Sequence, residues 1–346
     1  MPLFAPKQNH PSAKPIYNYN STHYEWWSRQ ESNLHPRLRR PVLYPLSYET
    51  VDCLQQSDGW VRDEHFRGCS RGYTRNSHGL LMQPKSRRIV VKFGSGILAH
   101  PSGFGLDEAQ FEQLTYAVSG LRSAGHEVIV VSSGAVAAGG MAFGLVRRPE
   151  DTATLQAIAA VGQTRLMQRY ESLFSRHGLL VAQLLLTNED LQQPSRRENL
   201  TNTLERLLSF KNVIPIINEN DSVAIDELKV GDNDRLSAGV ACLAGADVLI
   251  LLTSVDGLLD AAGCLIPKVA DLAAVESHIR PEKGVHSTGG MASKLGSAAV
   301  AMASGVEVVI ANGRNPAQLL DLAEGGGVGT RLRPTQASAE GLAVAP

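Results

Sequence analysis

Between Ile216 and Ala238 the chain reads IINENDSVAIDELKVGDNDRLSA, with six carboxylates, three side-chain amides and no His or Cys. Such a stretch can bind the ammonium group of an amino acid, hold Mg2+, or orient neighbouring lysines. The missing histidine narrows the chemistry. A carboxylate nucleophile, with an ordinary pKa of about 4.3, is already ionised at neutral pH and needs no general base. Its obstacle is repulsion from an anionic electrophile such as a phosphoryl group, which lysines, helix amides and Mg2+ relieve.

Three glycine-containing segments carry groups of that kind. In KFGSG, Lys92 supplies a charge, and Gly94 and Gly96 let the backbone approach an anion. In SSGAVAAGG, from Ser132, Ser133 is placed to cap a helix whose first amides face outward. In STGGMASK, Ser287 to Lys294, two glycines open a helix and Lys294 falls about one turn inside it. Three anion cradles point to phosphate. None is a Walker A loop, and the HRD and DFG elements of protein kinases are absent. Gly94, Gly96 and Ala99 also fit a GxGxxA dinucleotide fingerprint, but the second apolar run ends in Val131, Ser132 and Ser133 without the acidic residue that a nicotinamide site requires.

The elements that must position these groups are short apolar runs. Strands are expected at Ile89–Phe93, Val128–Val131, Leu179–Leu186, Val213–Ile217, Val248–Leu252 and Val306–Ala311. Helices are expected near 107–124, 135–142, 152–177, 196–210, 234–244 and 290–304. Runs without polar alternation, separated by helices, predict a mainly parallel sheet buried on both faces: an α/β fold, a three-layer α/β/α sandwich. Ligands then bind beyond the carboxyl ends of the strands, where Asn218, Glu219, Asn220 and Asp221 emerge. Gly231, Asp232, Asn233 and Asp234 lead into the next helix.

Composition separates two regions. Up to Arg88 there are thirteen Lys or Arg against seven Asp or Glu; the remainder has twenty against twenty-seven, out of totals of 33 and 34. A mildly acidic main region argues against a nucleic-acid footprint. The first 85 residues hold all three Trp, six of eight Tyr and no sustained periodicity, and read as a disordered or mis-annotated extension, with an aromatic partner-binding arm as the alternative. Residues 86–335 form the expected folded domain and 336–346 a tail. Cys53, Cys69, Cys242 and Cys264 lack zinc-site or secretory spacing, which predicts reduced, cytoplasmic thiols. No signal peptide is legible, and the uncharged run Val128–Val146 reads as a buried strand turning into a helix rather than a membrane span.

VVKFGSG, VVSSGAVAAG, AAVGQ (Ala159 to Gln163), INEND followed by KVGDNDRLSA, and TGGMASK resemble the amino-acid kinase family, and within it the glutamate 5-kinases, over about Arg87 to Pro334. Aspartate, acetylglutamate and uridylate kinases share the fold but resemble these motifs less. The resemblance implies an amino-acid kinase fold and phosphoryl transfer from ATP, with Mg2+, to the side-chain carboxylate of L-glutamate, the first step of proline synthesis. Under it Lys92, Lys294 and Asp234 are catalytic; Lys92 and Lys294 face phosphate, and Asp234 holds both lysines. Ser133, Asp221, Asn233 and Asp232 bind glutamate. Lys92, Gly94, Thr253, Ser254, Thr288, Gly289, Gly290, Met291, Ala292, Ser293 and Lys294 bind the nucleotide, and no residue is assigned as a direct metal ligand. Thr253-Ser254 departs from the family's usual Thr-Asp. The resemblance further implies a short form without the RNA-modification-type C-terminal domain, a homo-oligomer, no membrane or nucleic-acid partner, and glutamyl-phosphate reductase downstream. A non-catalytic amino-acid or nucleotide sensor of the same fold, or another amino-acid kinase, is the competing expectation.

Overall fold

The computed structural model describes residues 85–100, 104–224, 232–270, 272 and 290–333. The chain divides into Met1–Arg75 and Asn76–Pro346, and all described residues fall in the second unit. The N-terminal arm and its two cysteines therefore lie outside the described residues, as do Thr288, Gly289 and the side chain of Asp232.

The strands are β1 (Arg88–Phe93), β2 (Glu127–Val131), β3 (Leu180–Leu186), β4 (Val213–Glu219), β5 (Val248–Thr253), β6 (Lys268–Val269), β7 (Glu307–Asn312) and β8 (Thr330–Leu332). They form one sheet in the order β3-β4-β2-β1-β5-β7-β8-β6. Every pairing is parallel except β7 with β8. The expected parallel α/β sandwich is present, with two additions. β6 and β8 were not legible because segments of two and three residues carry no periodicity; they exist through pairing at a sheet edge.

The helices are α1 (Ser95–Leu98), α2 (Glu108–Ser123), α3 (Ala135–Ala142), α4 (Thr152–Phe174), α5 (Asn188–Gln192), α6 (Pro194–Ser209), α7 (Asp232–Leu243), α8 (Met291–Ala303) and α9 (Leu319–Glu324). Strand alternation sorts them into two layers. Ile89, Val91 and Phe93 pack with Phe111 and Leu114 of α2, Leu166 and Tyr170 of α4, and Leu322 of α9. Val90, Ile129 and Leu251 pack on the opposite face with Leu204 of α6, Leu236 and Val240 of α7, and Leu295 of α8. The central strands read as continuous apolar runs because both faces are covered.

β3 departs from that rule. Its run LVAQLLL predicts burial on both faces, yet Leu180 is 53% exposed and only Leu186 is buried, because β3 is the edge strand. The run Val128–Val146 is divided between β2 and α3, and among the described residues no helix is long and apolar enough to cross a membrane.

Candidate active site

β1 sits at the centre of the sheet, at the point where the chain switches from building towards β2 to building towards β5. Lys92 is its penultimate residue, opposite Val131 and Leu251. It is buried, and its Nζ lies 2.6 Å from Oδ1 of Asp234. Lys294, in the first turn of α8, donates to Oδ2 of the same carboxylate at 3.1 Å. Asp234 stands in the first turn of α7, which begins at Asp232, two residues earlier than the sequence pattern suggests. One carboxylate thus holds two ammonium groups from opposite halves of the domain.

The electrostatics follow from that sharing. Burial pushes the Asp234 carboxyl up, but the two ammonium groups together outweigh it and hold it below the ordinary carboxylate value. Lys92 is lowered, chiefly by burial; the Asp234 charge opposes the shift and Lys294 adds to it. Gly94 lies close by, where a Cβ would stand 3.3 Å from the Lys92 Nζ and press on the ion pair.

A chain of amides extends from this pair towards β4. Asn218, almost wholly buried, accepts the Glu219 backbone N–H at 2.9 Å through Oδ1. The same oxygen accepts from Asn233 Nδ2 at 3.2 Å, and Asn218 Nδ2 donates to Oε1 of Gln163 at 2.8 Å. Asn233 Nδ2 also donates to the Ser133 hydroxyl at 3.0 Å. Residues 133, 163, 218 and 233, from four segments of the chain, meet in one network.

Ser133 was expected to cap α3. Instead the N-cap is Gly134, at φ 103°, with no side-chain cap bond, and the serine hydroxyl turns to Asn233. The left-handed backbone at Gly134 makes that turn possible. Gly94 and Gly290 likewise begin α1 and α8 without a side-chain cap. By contrast, Asp107, Asp151 and Thr187 cap α2, α4 and α5. The three helices that start at the sequence's glycine segments keep their first amides available to an anion.

Thr253 ends β5, half-buried and opposite Asn312, while Ser254 is exposed. Met291, Ala292 and Ser293 fill the first turn of α8 after Gly290. Asp221, just past β4, is partly buried, and burial raises its carboxyl to about 6 against the opposing pull of Arg148. Neighbouring Glu219 is buried. Gln163 was legible only as the last letter of AAVGQ. Its signal was a Gly-Gln pair interrupting the apolar stripe of a long helix, and its role depends on packing that no period reveals.

Among the described residues no group of three or more His, Cys, Asp or Glu is placed to hold a metal ion, and Asp234 is committed to two lysines.

Comparison with known proteins shows the family. The model of the Amino acid kinase family matches residues 87–312. Glutamate 5-kinase of Symbiobacterium thermophilum is 44% identical over 250 residues, which cover 70% of this chain and 95% of that protein. Glutamate 5-kinase of Azoarcus sp. is 44% identical over 269 residues, or 75% and 72% of the two chains. A solved N-acetylglutamate synthase from Neisseria gonorrhoeae, complexed with coenzyme A and L-arginine, shares the fold with a TM-score of 0.53 at 17% identity, over 72% of this chain and 62% of that one.

Proposed function

The chain belongs to the amino acid kinase family, and from that membership we propose that it transfers the γ-phosphoryl group of ATP to the side-chain carboxylate of L-glutamate, giving L-glutamyl 5-phosphate and ADP, the first step of proline biosynthesis. The observation that carries this reading is the Asp234 carboxylate, which holds Lys92 and Lys294 on one side while the adjacent Asn233 joins the amide network on the other. Positive charge for phosphate and neutral polar groups for an amino acid then meet at the end of β1.

In this mechanism the glutamate side chain attacks the γ-phosphorus as a carboxylate. The new bond is carboxylate oxygen to phosphorus, and the bond to the β–γ bridging oxygen breaks to leave ADP. No proton moves, which suits a site built without histidine. Lys92 and Lys294 offset the charge that accumulates between carboxylate and phosphates, and Asp234 keeps two mutually repelling ammonium groups at fixed positions. Gly94, Gly290 and the α8 amides through Met291, Ala292 and Ser293 cradle phosphate, the family resemblance adds Thr288 and Gly289 to the nucleotide-binding set, and Thr253 with Ser254 border the nucleotide. Ser133, Asn233, Asp221 and Asp232 hold the amino-acid end. Mg2+, when bound with the nucleotide, would supply further charge neutralisation. The acyl phosphate product is labile and passes to a reductase.

The test is ATP- and Mg2+-dependent formation of γ-glutamyl hydroxamate by the purified chain, comparing glutamate, aspartate and N-acetylglutamate. Glutamate-selective turnover that disappears in Lys294→Ala is the expected result. A folded protein that binds glutamate yet turns over none of the three overturns catalysis and favours a sensor.

A further inference from the structure

The amides around Asn218 have only one consistent orientation. The Glu219 backbone N–H is a donor whatever the side chains do, so the Asn218 atom facing it is the oxygen. Asn218 Nδ2 must then donate to Gln163, and the Gln163 atom receiving it is Oε1. The Asn233 atom reaching Asn218 Oδ1 must in turn be Nδ2. One backbone N–H therefore sets the polarity of three side chains.

That polarity leaves a donor and an acceptor without partners. Gln163 is 8% exposed, and its Nε2 has no hydrogen-bond partner among the described residues; Oδ1 of Asn233 is likewise buried and unpaired. Each belongs to a side chain bonded to the same Asn218 amide, so both sit one hydrogen bond away from a single anchor. A buried amide group left unpaired costs about 1–3 kcal/mol, and a donor and an acceptor left open on one amide network mark a place where a ligand completes the bonding.

The packing that creates the position is equally specific. Gly162 and Gly139 let α4 lie against α3 so closely that a Cβ at Gly162 would fall 1.8 Å from the Ala135 carbonyl oxygen, and one at Gly139 would fall 2.0 Å from that of Ile158. Without these glycines Gln163 could not reach the Asn218 amide that also holds Asn233.

We propose that Gln163 is a further substrate-binding residue: its Nε2–H donates to the α-carboxylate of glutamate while Asn233 Oδ1 accepts from the α-ammonium, so that the pair reads the zwitterionic end of a free amino acid. The assignment rests on the proposed glutamate reaction. A ligand with both an anionic acceptor and a cationic donor on adjacent atoms satisfies the two groups together; a simple carboxylate satisfies only one.

The test compares wild type with Gln163→Glu, which keeps the oxygen that Asn218 needs and removes the donor, and with Gln163→Met, which removes both. Calorimetric Kd values are measured for glutamate and for its α-carboxamide. Wild type prefers glutamate, and in Gln163→Glu that preference falls at least tenfold, because an α-carboxamide can donate to the new carboxylate. Gln163→Met moves the same ratio in the same direction and keeps the test decisive should the glutamate variant fail to fold. A residue that only supports Asn218 would weaken both ligands equally, so a ratio within twofold of wild type in a folded variant overturns the proposal. Wild type that binds no glutamate overturns the proposed function and this inference with it, whereas normal wild-type binding with an unchanged ratio removes this inference alone.

Discussion

Lys92 Nζ lies 2.6 Å from Asp234 Oδ1 inside the domain, where neither group has enough water to be stable alone. Removing the carboxylate strands two buried ammonium groups, Lys92 and Lys294. Asp234→Asn is expected to cost about 3–5 kcal/mol of stability. Lys294→Met, which leaves Asp234 paired with Lys92, is expected to cost less while lowering kcat by roughly a hundredfold or more. Urea unfolding set beside turnover checks the contrast, and equal stability losses in the two variants would contradict it.

Asp221 titrates near 6 because burial penalises its charge. If it meets the substrate ammonium, KM for glutamate rises as pH falls below about 6, approaching tenfold per unit, with kcat little changed. Asp221→Asn flattens this dependence. The stability sign is opposite to that of a salt-bridged carboxylate: with the folded pKa above the ordinary 3.8, this group's contribution falls as pH rises from about 4 to 6. Above pH 6 the buried charge is a standing cost. Asp221→Asn should therefore be more stable than wild type by about 1–2 kcal/mol at pH 7.5, after allowance for partial exposure, and equal to it near pH 4.

At Gly162 the contact that would have to give is backbone, the Ala135 carbonyl oxygen, so no side-chain rotation relieves it. Gly162→Ala is expected to lose about 1–3 kcal/mol despite alanine's better helix propensity, and to raise KM for glutamate by displacing Gln163. Gly296, in α8, is the control: a Cβ there meets nothing within 4 Å, and Gly296→Ala should gain about 0.5–1 kcal/mol. Thermal melts of the two variants should move in opposite directions.

At the amino ends of the strands, far from the reacting groups, Glu307 receives Arg87, Arg331 and Arg333, each at 3.1 Å. Burial raises its carboxyl, but the three guanidinium groups together hold it below the ordinary 4.5. Its contribution is present above about pH 4.5 and is lost as pH falls through the depressed value. Glu307→Gln is expected to cost about 2–4 kcal/mol at pH 7, a difference from wild type that narrows on acidification below pH 4, with kcat and KM unchanged. A change in glutamate KM would contradict a purely structural role.

By itself the sequence determined the layers and singled out the candidate site residues. Six strands were legible because a buried parallel strand must be apolar on both faces; Lys92, Ser133 and Asp221 stood out as polar residues at or just past the ends of such runs, and Asn233 through the GDND motif and the family resemblance. Tertiary structure alone decided the rest. That Lys92 and Lys294, two hundred residues apart, share one carboxylate depends on β1, α7 and α8 converging. That Ser133 turns to Asn233 rather than capping α3 depends on the left-handed Gly134. That Gln163 presents a donor without a partner among the described residues depends on glycine contacts between α3 and α4 and on one backbone N–H at Glu219. Periodicity records which face of an element is buried; it does not record which buried polar atoms, brought together from distant parts of the chain, find partners and which are left for a ligand.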